Sequence, residues 1–209
     1  MDKNIFTRNE KLAQKVIKGL ESRNMTGYYA ADKEEALKTA LSLIPEGSSV
    51  TKGGCMSAEE IGLIDVLKKG NYKFIDRADY DDPREAMLLA YDADVYLASP
   101  NAISEDGELV NIDGNANRVS AIAYGPKKVV FICGMNKVAG DLDAAMKRAR
   151  NVAATINNQR FDTKNPCTIT GACANCKSID TICCQFLITR FSRHKDRIHV
   201  ILVNDNLGF

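Results

Sequence analysis

The chain has 209 residues, of which 45% are hydrophobic and 26% charged, a balance typical of one globular domain. Its 28 Lys and Arg residues against 27 Asp and Glu leave no net field that would favour nucleic acid or an anionic membrane as partner. No apolar run approaches the ~18 residues of a membrane span, and the charged start lacks the apolar core of a signal peptide. We therefore expect a cytoplasmic protein, in which stable disulfides are rare.

Helical and strand patterns alternate along most of the chain. Strands are predicted at 27–31, 72–76, 94–99 and 127–134, and a further strand ends at residue 54. Helices are predicted at 1–25, 32–44, 58–69, 115–124 and 138–157, and a further helix starts at residue 82. The helix over 58–69 is predicted to open with a capping box formed by Ser57 and Glu60. Such alternation is typical of βαβ units, whose strands are parallel.

The end of the chain departs from this alternation. Two apolar segments, 184–192 and 197–204, are separated only by the polar turn 193–196, and this spacing predicts a C-terminal antiparallel hairpin. No linker or internal repeat divides the sequence. We therefore expect a single α/β domain over 1–209, with a mostly parallel sheet, flanking helices and this closing hairpin.

Two glycines follow the second predicted strand and precede a helix. Gly53 and Gly54 would let the backbone approach a phosphate or carboxylate closely, and Ser57 could contact the same ligand. Ligands of open α/β sheets bind at the carboxyl ends of strands, where this loop falls. The alternative is a tight turn in which glycine is needed only for its positive φ and no ligand binds. Both interpretations stay open.

A polar segment follows the fourth predicted strand. It contains Asn101, Asn115, Asn117 and Arg118, of which the arginine is a candidate clamp for a carboxylate or phosphate. Glu105 is a candidate nucleophile or base. The alternative is a solvated hairpin followed by an asparagine helix cap, because Asp-Gly and Asn are common in turns whether or not a ligand binds there.

Five of the seven cysteines lie within residues 166–184. Four of them have the spacing C-X5-C-X2-C-X6-C and are predicted metal ligands: Cys167, Cys173, Cys176 and Cys183. An all-sulfur ligand set suits zinc or an iron–sulfur cluster, and spacing does not separate the two. Cys184 is the alternative fourth ligand, and redox-active or structural thiols are the alternative to a metal.

Several stretches resemble the LUD-domain, or lactate utilization, family. They are residues 53–63, 103–122, 125–138 and 199–209, together with the cysteine spacing. The resemblance implies a fold like that shared by ribose-5-phosphate isomerase, glucosamine-6-phosphate deaminase and CoA transferases. In that fold group the loop matching residues 53–57 holds phosphate or another anion. Residues 104–107 are similar to the Ser-Glu-Asn-Gly element of CoA transferases, whose Glu forms a thioester with CoA, although Asp106 replaces the Asn.

The resemblance also implies a function. It predicts a component of bacterial oxidation of L-lactate to pyruvate, acting beside iron–sulfur partner proteins and binding a small anionic metabolite. The alternatives are a non-catalytic metabolite-binding or assembly module with a structural zinc, and a CoA-transferase-like enzyme that uses Glu105. Self-association into a homo-oligomer stays open.

Overall fold

A computed structural model describes residues 2–209. The helices are α1 Lys3–Ser22, α2 Lys33–Ser42, α3 Met56–Glu60, α4 Leu63–Lys69, α5 Pro83–Tyr91, α6 Asn117–Tyr124, α7 Leu142–Arg148, α8 Thr155–Asn158 and α9 Pro166–Thr170. The strands are β1 Thr26–Ala30, β2 Ser49–Lys52, β3 Lys73–Ile75, β4 Val95–Ala98, β5 Ala102–Ser104, β6 Leu109–Asp113, β7 Lys128–Gly134, β8 Val138–Ala139, β9 Gln185–Thr189 and β10 Ile198–Val203. A π-helical segment, Ala149–Ala154, joins α7 to α8.

The main sheet has six strands in the order β1-β10-β7-β4-β2-β3, and every pair is parallel. Strand β7 shows why both faces are covered, because its side chains alternate between two apolar cores. Val130 and Ile132 pack with α2, α3 and α4 on one face, whereas Val129 and Phe131 pack with α1 and α6 on the other. The predicted α/β class and its mostly parallel sheet are confirmed.

A second, four-stranded sheet has the order β8-β5-β6-β9. Strands β5 and β6 form the antiparallel hairpin expected from Asp106-Gly107 at its tip. Gly107 has a φ of +86°, and a Cβ there would lie 2.6 Å from the backbone nitrogen of Leu20 in α1. Glycine therefore lets this tip pack directly against the N-terminal helix.

The predicted C-terminal hairpin is wrong. Strand β9 pairs antiparallel with β6 in the second sheet, whereas β10 pairs parallel with β1 and β7 in the main sheet. Burial gives the reason: all six residues of β10 are buried, as a central parallel strand requires, and β9 is a half-exposed edge strand. The polar stretch 193–196 is thus a connection between two sheets.

The predicted helix over 58–69 is also corrected. It is two short helices, α3 and α4, separated at Gly62, which adopts a left-handed φ of +76°. The capping box is absent from this described segment, because Cys55 occupies the N-cap position and Ser57 lies inside α3. The Ser57 hydroxyl instead faces Ser99, at 3.2 Å.

The strand order brings three chain segments to one edge of the main sheet. Strands β2, β4 and β7 are neighbours, and parallel strands end at the same side. The segments that leave these ends carry Ser57, Ser99 and Lys137. None of the helices described over 2–209 is long and apolar enough to cross a membrane.

Candidate functional site

A cleft of about 550 Å³ opens beyond the carboxyl ends of β4 and β6. Its floor and one wall come from the glycine loop, the end of β6 and the start of α6, and the opposite wall comes from residues 154–163 and 179–184. Five of the predicted ligand-binding residues line it: Gly54, Asn101, Asn115, Asn117 and Arg118. The fold therefore brings together residues that are up to 64 positions apart in the chain.

Arg118 is the cation on the floor of this cleft. Its Nη2 donates to Asn101 Oδ1 at 3.2 Å and to the backbone carbonyl of Ile112, so its side chain is held in place. Its Nε is buried and has no hydrogen-bond partner within the protein. An oriented guanidinium that borders the cleft is suited to a carboxylate or phosphate.

Gly53 lies directly against Arg118, whereas Gly54 faces open space. A Cβ at Gly53 would lie 2.7 Å from the Tyr96 hydroxyl and 3.0 Å from Arg118 Cγ, and a Cβ at Gly54 would meet nothing within 4 Å. We predict that Gly53→Ala lowers the free energy of unfolding by about 1–3 kcal/mol through overpacking. The matched control Gly54→Ala should stay within about 0.5 kcal/mol of wild type. Chemical denaturation checks this pair, and equal losses would contradict the placement of Arg118.

The loop before α6 is tied down by Asp113. Its carboxylate accepts the backbone N–H groups of Arg118 at 2.8 Å and Val119 at 3.0 Å. It thereby satisfies the first turn of α6, although Ala116 occupies the N-cap position. Ala116 in the same loop has a φ of +61°, a conformation that costs a residue with a Cβ about 1–2 kcal/mol. Backbone strain of this kind concentrates at functional sites.

A smaller pocket of about 30 Å³ adjoins the cleft and shares Gly54, Asn101, Arg118 and Asn157 with it. Three basic side chains line this inner pocket: Arg118, Lys137 and Arg160. No Asp or Glu side chain is among the described residues that line it. The inner pocket is therefore the most electropositive part of the site.

Lys137 is a functional candidate that the sequence interpretation missed. It is 3% exposed, and its Nζ donates to Ser99 Oγ at 2.7 Å and to Ser57 Oγ at 3.3 Å. Burial lowers the pKa of this lysine, because an ammonium group loses hydration there. One feature of the sequence could have identified Lys137. It follows directly after β7, the most apolar predicted strand, and ligands of α/β sheets bind at such strand ends.

Glu105 lies outside both pockets. It sits beside the tip of the β5–β6 hairpin, and its Oε2 is 2.5 Å from Lys15 Nζ in α1. The β5–β6 hairpin thus directs Glu105 to the N-terminal helix and away from Arg118.

The four predicted cysteine ligands surround one cavity of about 70 Å³. Cys167 lies on the short helix α9, which starts at Pro166 and ends at Gly171 in a left-handed conformation. Asn165 ties the loop together by donating from Nδ2 to the backbone carbonyl of Asp180 at 2.9 Å. Residues 150–158 and Phe186 of β9 complete the walls.

Nitrogen donors and neighbouring thiols surround the sulfur atoms in this cavity. Asn158 Nδ2 lies 3.2 Å from Cys167 Sγ, and Arg150 Nη2 lies 3.8 Å from Cys173 Sγ. Burial and the nearby Cys173, Cys167 and Cys176 raise the pKa of Cys183 to about 11. As the side chains are placed across residues 2–209, no group of three or more His, Cys, Asp or Glu forms a preformed metal cage.

Cys183 and Cys184 face different cavities. Cys183 lines the four-cysteine cavity, and Cys184 lines the large cleft, as alternation along an extended chain leads one to expect. Thr181 and Ile182 line both cavities. The segment 181–184 is therefore a shared wall between the cleft and the cysteine cavity.

A solved structure of similar fold agrees with this architecture. A DUF162-family protein from Deinococcus radiodurans matches with a TM-score of 0.56 at 11% identity, over 93% of this chain and 98% of that one. Ribose 5 phosphate isomerase A from Neisseria gonorrhoeae matches with a TM-score of 0.36 at 17% identity, over 53% of this chain and 54% of that one. No curated protein sequence matches the chain.

The family comparison covers most of the sequence. The model of the LUD domain matches residues 13–203, from within α1 to the last residue of β10. This range includes the cleft-lining residues from Gly54 to Cys184 and all four cysteines of the 70 Å³ cavity. The chain belongs to the LUD-domain family, which is related to the lactate utilization proteins.

Proposed function

We propose that this protein is a component of bacterial organic-acid oxidation, on the route from L-lactate to pyruvate, and that it binds a small anionic metabolite in the cleft. One observation carries the proposal: Arg118, Lys137 and Arg160 line the inner pocket without an acidic side chain among its described lining residues. Cations held in a confined, poorly hydrated pocket favour an anionic ligand.

The shape of the site supports a ligand of a few heavy atoms. The carboxylate would bind the Arg118 guanidinium, which borders the cleft and is held in place by Asn101 and Ile112. The remainder of the ligand would lie toward Asn101 and Asn117, which line the same cleft and offer neutral amide groups. The proposal thus assigns charge recognition to Arg118 and the orientation of the ligand to the amides.

The second part of the proposal is a thiolate-bound metal in the cysteine cavity. Four thiols, with no carboxylate or imidazole among the described lining residues, suit zinc or an iron–sulfur cluster. The N–H groups of Asn158 and Arg150 would support sulfur atoms that carry negative charge. Binding would require the cysteine side chains to rotate inward around the 70 Å³ cavity. A cluster would supply one-electron transfer, and zinc would fix the loop.

The anion site is tested by thermal stability in the presence of single ligands. We expect L-lactate, pyruvate or another short carboxylate to raise the melting temperature, because a ligand that binds only the folded state stabilises it by mass action. At 100-fold excess over Kd the gain is about 2.7 kcal/mol. Acetamide, which is neutral, serves as the control. If no carboxylate, sugar phosphate or CoA ester shifts the melting temperature, the anion site is refuted.

The identity of the metal separates the redox role from the non-catalytic one. Anaerobically purified protein that is brown, with absorbance near ~400 nm, would favour an iron–sulfur cluster and electron transfer. A colourless protein with one tightly bound zinc would favour a binding or assembly module. The shared wall at 181–184 is compatible with both, since a metal of either kind in the cysteine cavity would lie beside the cleft.

A further inference from the structure

Lys137 is a buried lysine without an ion-pair partner among the described residues. Its two hydrogen-bond partners are hydroxyl groups, and within residues 2–209 no carboxylate forms an ion pair with it. A buried lysine that served only to hold strand ends together would be expected to pair with an acidic side chain, because an unpaired buried charge is destabilising.

The surroundings of Lys137 suit a reactive amine. Ser99 and Ser57 can each donate or accept a hydrogen bond, so they tolerate both the ammonium and the neutral amine. Burial is the main cause that lowers the pKa of this lysine. Arg148 acts in the same direction, whereas Cys133, Cys55 and Glu60 act against it. A desolvated lysine near another cation is the setting in which amines act as nucleophiles.

The amine also faces a space that a ligand can enter. Lys137 lines the inner pocket together with Arg118, and that pocket shares four lining residues with the 550 Å³ cleft. Gly208 covers the amine closely: a Cβ there would lie 3.1 Å from both Lys137 Nζ and Ser57 Oγ. A side chain at Gly208 would therefore crowd the amine.

We propose that Lys137 forms a covalent imine with a small carbonyl compound whose anionic group is bound by Arg118. This inference rests on the proposed anion site and adds a chemical class to its ligand: an aldehyde or ketone bearing a carboxylate or phosphate. Two kinds of molecule share this chemistry, the 2-oxo acids and the phosphorylated aldehydes or ketones. The neutral hydroxyl groups of Ser57 and Ser99 would not by themselves distinguish an anionic carbonyl compound from a neutral one.

The step is balanced without any further reactant. The ammonium of Lys137 first releases one proton, and the neutral amine then attacks the carbonyl carbon. A C–N bond forms, the C=O π bond breaks, and the carbonyl oxygen takes up the released proton and a second one from the nitrogen. That oxygen then leaves as water with two of the three ammonium hydrogens. The product is a protonated imine with the same charge as the starting ammonium. Ser99, 2.7 Å from the nitrogen, is positioned to pass a proton to the departing oxygen.

Reductive trapping tests the inference on the full-length protein. The protein is incubated with sodium cyanoborohydride and either pyruvate or dihydroxyacetone phosphate, and the intact mass and the modified peptide are measured. We expect an adduct from one of the two probes, located at Lys137. Lys137→Arg, which keeps the charge, should lose the adduct, whereas the control Lys128→Arg at the opposite end of β7 should keep it.

The outcomes separate this inference from the anion site. Stabilisation by pyruvate or dihydroxyacetone phosphate without an adduct would overturn the role of Lys137 and leave the anion site standing. An adduct of equal yield in Lys137→Arg would also overturn it, because the modified amine would lie elsewhere. If neither probe binds nor forms an adduct, the imine and a carbonyl ligand are refuted, while stabilisation by L-lactate in the ligand screen would still support the anion site.

Discussion

Cys183→Ser is expected to weaken metal binding at least about tenfold. Cys183 is the half-buried thiol that shares the 70 Å³ cavity with Cys167, Cys173 and Cys176. The binding free energy of structural zinc at thiolate sites is about 10–16 kcal/mol, to which four ligands contribute. The loss of one ligand should therefore lower the affinity for the metal by at least about tenfold. Metal analysis of the purified variant, with acid-labile sulfide measured beside it, checks this expectation.

Cys184→Ser is the matched control for that experiment. It removes a thiol one residue away, but this thiol is exposed and lines the large cleft. Its metal content should equal that of the wild type. If Cys184→Ser loses the metal and Cys183→Ser retains it, the cavity is not the site and the assignment of the fourth ligand is reversed.

Arg118→Ala is expected to remove the ligand-induced rise in melting temperature. A hydrogen bond between charged groups contributes about 1.5–3 kcal/mol, which corresponds to a loss of affinity of about 10- to 100-fold. Because Arg118 also donates to Asn101 and Ile112, the variant should unfold at a somewhat lower temperature without ligand. The relevant quantity is therefore the shift between ligand-free and ligand-bound samples of the same variant.

Arg84→Ala controls for the loss of one positive charge. Arg84 is exposed on α5 and lies outside both pockets of the site. Its ligand-induced shift should match that of the wild type. Equal shifts in Arg118→Ala and the wild type would show that the anion is bound elsewhere.

The main features of the fold could be predicted from the sequence, because they depend on local patterns. Asp82 before Pro83 marked the start of α5, and Asp106-Gly107 marked the tip of the β5–β6 hairpin. The pairing of β10 could not be predicted in this way. Two apolar strands joined by a short polar segment have the local pattern of a hairpin. Only the three-dimensional structure shows that all six residues of β10 are buried, as in a central parallel strand.

In the candidate site, too, features that depend on local sequence could be predicted and features that depend on strand order could not. Residues near each other in sequence, such as Asn115, Asn117 and Arg118, could be grouped from their position after a strand. Lys137 could not, since its relation to Ser57 and Ser99 depends on the order of three strands in the sheet. Glu105 shows the converse: a suggestive local motif whose side chain the hairpin directs toward α1.

Metal and sulfide analysis of the anaerobically purified wild-type protein tests most directly whether a metal lies beside the anion cleft. We predict either iron with acid-labile sulfide or one zinc per chain, with Cys167, Cys173, Cys176 and Cys183 protected from thiol reagents and Cys184 reactive. Protein free of metal, in which those four thiols react as readily as Cys184, would contradict the metal site.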